Sequence, residues 1–127
     1  MNENDCPFCG ALVKHKPVCE FGTAFALVDL HPVSEGHHLI VTKRHTTDFF
    51  SMTPAERRDA EALLLLMKKQ IQQNDPKITG FNIGMNCGVA SGQTVVHAHI
   101  HLIPRRDGDV DDPRGGVRGC VPGKMRY

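Results

Sequence analysis

This chain lacks an excess of charge of either sign: 15 Lys and Arg against 14 Asp and Glu leave a net charge of +1. A general affinity for nucleic acid or an anionic membrane needs a clustered basic surplus, so the balance argues against a nucleic-acid polymer or a membrane as partner. Any phosphate binding has to be local. No apolar run approaches the roughly 18 residues of a spanning helix. The start, Met1-Asn2-Glu3-Asn4-Asp5, lacks the charged-then-apolar pattern of a secretion signal, and the expectation is a soluble, cytoplasmic protein. There are five cysteines, an odd count that fits reduced thiols or metal ligands better than a disulfide framework. With 127 residues, 40% of them hydrophobic, the chain has room for one core and reads as a single domain over residues 1–127.

What is present divides cleanly. Cys6-Pro7-Phe8-Cys9-Gly10 is a knuckle, with proline and glycine punctuating a turn that aims two thiols the same way. Two strands follow, Thr23 to Leu30 and His37 to Lys43, joined by the turn-rich His31-Pro32-Val33-Ser34-Glu35-Gly36 and expected to pair as neighbours. A helix begins at Thr53-Pro54-Ala55-Glu56: Thr53 suits the N-cap, Pro54 the first helical position, and Glu56 completes a capping box. It runs to about Asn74, with Ala60, Leu63, Leu64, Met67 and Ile71 at helical spacing, and Asp75-Pro76 stops it. Gly80 to Asn86 alternates like a strand, and Cys87 to Gly92 is a small-residue loop. Strands, helix, strands: the order predicts an α+β domain whose antiparallel sheet has one face covered by the helix. The tail, residues 107–127, has five glycines, two prolines and no period, which leaves open whether it is ordered or mobile.

The densest signal is Gln93-Thr94-Val95-Val96-His97-Ala98-His99-Ile100-His101-Leu102-Ile103-Pro104-Arg105. Successive side chains of a strand point to opposite faces, so His97, His99 and His101 would share one face while Val96, Ala98, Ile100 and Leu102 share the other. On a helix the same three would spread around most of the circumference, each residue advancing by roughly 100°. Pro104 is expected to close the strand. Three aligned imidazoles are costly to bury without a role. Two chemistries fit them: a catalytic metal held by all three, or nucleophilic attack by one imidazole assisted by the others. Cys6-x-x-Cys9 alone is equally open between a metal knuckle and a redox pair.

His-x-His-x-His followed by two apolar residues, with the Gly92-Gln93-Thr94-Val95 lead-in and the Pro104-Arg105 exit, resembles the signature of the histidine-triad (HIT) superfamily of nucleotide hydrolases and transferases. The likeness covers about residues 6 to 106. It implies a HIT-like fold, an antiparallel sheet of about five strands packed by one long helix. It also implies roles. His99 would attack the α-phosphate of a nucleotide conjugate and form a nucleotidyl-histidine that water or another acceptor cleaves; neutral imidazole is a competent nucleophile near pH 7. His101 would donate to a phosphate oxygen or the leaving group, and His37 would stand near the same phosphate. Asn86, Gln93 and Thr94 match positions that hydrogen-bond the phosphate or the bridging oxygen. Gly92 matches a glycine that lets backbone N–H groups approach phosphate, and Asp29 an acid used on ribose hydroxyls.

The resemblance further implies a structural zinc held by Cys6, Cys9, His45 and His97, a closed Cys2His2 set without an open position for catalytic water, and no organic cofactor. His97 would then sit beside the nucleophile as an oriented neighbour. The implied partners are an adenine or guanine nucleotide conjugate, such as a dinucleoside polyphosphate or a phosphoramidate, and a second copy of the chain. One departure is Thr42, where the family commonly has proline before the basic pair preceding His45. The tail resembles those of a bacterial subgroup, and Arg114, Arg118 or Lys124 is expected to meet the distal phosphate of a polyphosphate substrate, within the chain or across a dimer. A non-catalytic nucleotide-binding or sensory protein with the same pocket stands as the alternative function.

Overall fold

A 21-residue helix, α1 (Pro54–Asn74), organises the fold. Its N-terminus is closed as the sequence predicts: the Thr53 side chain accepts from the Glu56 N–H, and the Glu56 carboxylate accepts from the Thr53 N–H. Glu56 is buried and is also gripped by Arg44 at 2.7 and 3.0 Å. In the computed structural model, which describes residues 6–11 and 16–127, α1 lies against a five-stranded antiparallel sheet. The strands are β1 (Cys19–Phe21), β2 (Ala24–Val28), β3 (His38–Thr42), β4 (Ile78–Gly84) and β5 (His99–Arg106), in the order β1-β2-β3-β5-β4. Met1 to Asp5 and residues 12–15 lie outside the described residues, so the reading of the N-terminal start does too. No described helix is long and apolar enough to cross a membrane.

Strand alternation explains two cores. Ala24 and Ala26 of β2, Ile40 of β3 and Leu102 of β5 face the helix, where they bury Ala60, Leu63, Met67 and Ile71. Phe25, Leu27, Leu39 and Val41 face the other way, where Phe8 and Ala11 of the N-terminal knuckle cover them. β3 is therefore buried on both sides along its whole length. His99 pairs with Val41 and His101 with Leu39, which places both histidines on the face opposite the helix.

Three sequence expectations change. β1 was not foreseen; three residues with a central Glu20 carry no strand pattern, and the strand exists because Gly22, at φ +54°, turns it back onto β2. The Asp59 carboxylate of α1 fixes that turn, accepting from the Thr23 N–H and hydroxyl at 2.8 and 2.7 Å. His97 precedes β5 rather than lying in it, so only His99 and His101 share the strand face. Pro104 does not close β5, which continues to Arg106. The ladder to β3 ends at Leu102, so no β3 carbonyl is left without the proton that Pro104 lacks, while β4 still pairs Phe81 with Pro104.

Candidate active site and metal centre

At the head of β5 the backbone and two side chains fix the state of the triad. The His99 ring donates from Nδ1 to the His97 carbonyl at 2.7 Å, an assignment made from the hydrogen-bond network. That leaves a lone pair on Nε2, the atom available for attack. The Phe8 ring stands edge-on to His99, 5.0 Å between centroids. Phe8 was not singled out from sequence, although its place between Cys6 and Cys9 meant that the knuckle would carry it wherever the two thiols go.

His101 is set from behind. The Val33 N–H donates to His37 Nδ1 at 3.1 Å, so neutral His37 carries its proton on Nε2. His37 Nε2 lies 2.9 Å from His101 Nδ1 and 3.3 Å from the Asp29 carboxylate. Donation from His37 to His101 Nδ1 puts the His101 proton on its far nitrogen, Nε2. Burial lowers the pKa of both rings from the usual 6.5; for His101 the positive charge of protonated His99 and His37 adds to this, for His37 that of His38, and Asp29 opposes the shift in each. Asp29, expected on ribose hydroxyls, thus has its carboxylate beside the two histidines, one oxygen also accepting from the His31 N–H at 2.7 Å.

The loop before β5 is held by Gln93. Its amide accepts from the Gly88 N–H at 2.8 Å and donates to the carbonyls of Thr47 and Val95 at 2.7 and 3.2 Å. The side chain is buried, and its amide is hydrogen-bonded within the loop structure. Gly92, in the left-handed region at φ +95°, and Thr94 are exposed on the same loop, and Asn86 borders the cleft beside His101.

Cys6, Cys9, His45 and His97 converge, with Cys6 Sγ 3.3 Å from His97 Nδ1 and Cys9 Sγ 3.0 Å from His45 Nδ1. The His97 ring is buried and donates from Nε2 to the Thr42 carbonyl at 2.7 Å, leaving the Nδ1 lone pair turned to the thiols. Two thiolates and two neutral imidazoles so arranged fit a tetrahedral cation, and the carbonyl behind His97 is the outer partner such a ligand needs. Asp29, His37 and His101 also lie within metal-ligand distance of one another. They do not suit a metal: the His37 Nε2 atom it would need bears the proton, and the Val33 N–H blocks the other tautomer.

The tail is ordered against the sheet and makes a 3-10 turn at Gly116–Cys120. Arg114 and Arg118 pack on Tyr127 within the tail. Their guanidinium carbons lie 4.7 and 5.1 Å from the centre of the Tyr127 ring, and Arg118 donates to the Lys124 carbonyl.

A family model described as HIT domain matches residues 12–108. The chain is 33% identical over 113 residues to adenylylsulfatase HINT3 of Arabidopsis thaliana, covering 84% of this chain and 55% of that protein. It is 36% identical over 90 residues to an asymmetrical bis(5'-nucleosyl)-tetraphosphatase of Schizosaccharomyces pombe, covering 68% and 47%. The crystal structure of a Zn-bound histidine triad family protein from Mycobacterium smegmatis matches with TM-score 0.76 and 30% identity over 85% of this chain and 80% of that one.

Proposed function

This chain belongs to the HIT domain family, and from that premise we propose that it is a nucleotide hydrolase or transferase that works through a nucleotidyl-His99 intermediate. The supporting observation is the paired proton state of the triad: a lone pair on His99 Nε2 and a proton on His101 Nε2, set by the His97 carbonyl and by His37. The His99 Nε2 lone pair forms a bond to the α-phosphorus. The bond from phosphorus to the leaving atom breaks and its electron pair stays with that atom, which the His101 Nε2–H stabilises by a hydrogen bond and which takes any proton it needs from solvent. Water then attacks the same phosphorus and the His99–phosphorus bond breaks. The proton that water loses passes to solvent, the His99 Nε2 lone pair is restored, and a nucleoside monophosphate leaves.

His37 is a positioning residue in this scheme, acting through His101, with Asp29 beside both. Gly92, Thr94 and Asn86 would receive the phosphate oxygens, while Gln93 holds the loop that presents Gly92 and Thr94. Cys6, Cys9, His45 and His97 would hold zinc, which supplies structure here and leaves no coordination position for a reacting water. The reading carries one domain, an adenine or guanine nucleotide and a homodimer, the last checked by light scattering.

The test uses an adenosine conjugate labelled at the α-phosphate, quenched within one turnover. Acid-labile label on wild-type protein and none on His99→Ala is the expected result. Hydrolysis without label on protein would mean direct water attack. Tight AMP binding with neither label nor hydrolysis would mean a binding module instead.

A further inference from the structure

The pair of His37 and His101 owes its proton order to one backbone donor, the Val33 N–H, 3.1 Å from His37 Nδ1. That donor sits in the loop between β2 and β3, where His31, Pro32, Val33 and Glu35 are all exposed, so apolar burial does not hold it in place. Ser34 is the exception in this loop. Its hydroxyl donates to the Pro104 carbonyl of β5 at 2.7 Å.

The end of β3 is what leaves that carbonyl open. The ladder between β3 and β5 stops at the pair of His38 with Leu102, so no β3 residue pairs with Pro104. Pro104 is fully buried, and a buried carbonyl without a donor is costly. The Ser34 hydroxyl supplies the donor that a longer β3 would have given. Through its main chain Ser34 is bonded to His37 as well, its carbonyl accepting from the His37 N–H at 3.2 Å. One residue therefore links the His37 turn to the strand that carries His99 and His101. Two further contacts hold the other side of the turn: Arg106 donates to the Glu35 carbonyl at 2.9 Å, and Gly36, at φ +93°, lies so close to the Pro104 ring that a Cβ would come within 3.1 Å of it. Ser34 holds the side that carries Val33.

We propose that Ser34 is a positioning residue of the histidine site: by tying the loop to β5 it keeps the Val33 N–H on His37 Nδ1, and so keeps the His101 proton on Nε2. The use made of that proton rests on the transfer reading above. Without the Val33 donor, the tautomer of His37 with its proton on Nδ1 becomes accessible. His37 Nε2 would then meet His101 Nδ1 as an acceptor across 2.9 Å, and the His101 proton would move to Nδ1, leaving a lone pair where the leaving atom needs a donor. Asp29, 3.3 Å from His37 Nε2, still favours a proton there, so the tautomers mix and do not invert.

The experiment compares the full wild-type chain with Ser34→Ala and Ser34→Thr by nitrogen NMR of isotope-labelled histidines above pH 6.5, where both rings are neutral. Wild type is expected to show one tautomer, with the proton on Nε2 of both His37 and His101. In Ser34→Ala both rings should move to averaged positions between two tautomers, and Ser34→Thr, which keeps the hydroxyl, should restore the wild-type pattern. With adenosine phosphoramidate as substrate, Ser34→Ala should lower kcat by about tenfold at little-changed KM, and Ser34→Thr should recover it. Melting curves establish that both variants fold; a purely structural role would lower the melting temperature and leave the tautomers as they are. Wild-type tautomers retained in Ser34→Ala overturn the inference, as does a mixture that Ser34→Thr shares. The tautomer readout needs no turnover, so a wild type that turns over no conjugate would count against the transfer reading alone.

Discussion

At the scale of single residues, proton placement decides the chemistry. In the proposed scheme His37 acts through His101, holding its proton on Nε2. His37→Ala is therefore expected to lower kcat by roughly a hundredfold with KM little changed, measured in steady-state kinetics. Protonating His101 on Nδ1 would set two donors against each other across the 2.9 Å contact. Because the pKa of both rings is lowered from 6.5, the neutral pair survives below that value, and the acid limb of the kcat profile should lie under pH 6.5. Asp29 is the one neighbour that raises both values, so Asp29→Asn should move the limb to still lower pH. A shift toward higher pH would contradict this arrangement. The spacing of His99 and His101 was legible in the sequence because strand alternation is local. What fixes their protons was not: the Val33 N–H and the His97 carbonyl are backbone groups, and every residue offers the same ones.

Among the elements, α1 was the most legible, since its start, stop and buried stripe all arise within one continuous segment. Thr53→Ala removes the side-chain acceptor of the capping box and is expected to cost about 1 kcal/mol of stability, read as a lower denaturation midpoint at unchanged slope. β1 and the end of β5 were less legible because neither is set by its own residues. β1 depends on a carboxylate from α1 docking the Gly22-Thr23 turn. Pro104 is tolerated because β3 reaches only to His38, opposite Leu102, a fact about a segment some sixty residues earlier. Gln93 shows the same effect at a site residue: its partners Gly88, Thr47 and Val95 come from two different loops, so motif matching alone could not say which way its amide would turn.

For the whole molecule, the four side chains that could hold a metal bring the N-terminal knuckle together with the loop after β3 and the head of β5. The native chain is expected to carry one zinc, and Cys9→Ser to lose it, both measured by metal analysis. A metal that binds only the folded chain stabilises it by about 2.7 kcal/mol when its free concentration is a hundred times its dissociation constant, so chelation should lower the melting temperature measurably. An unchanged melting temperature after complete metal removal would contradict a structural role. One residue joins the two centres in an unequal way. His97 would offer its ring to the proposed metal, but what it offers His99 is only a main-chain oxygen. Inheritance can therefore treat position 97 as two separate traits: a lineage that replaces this side chain gives up its ion and still passes on an aligned nucleophile, whereas a lineage that alters the backbone path here forfeits the nucleophile however well its ion is held.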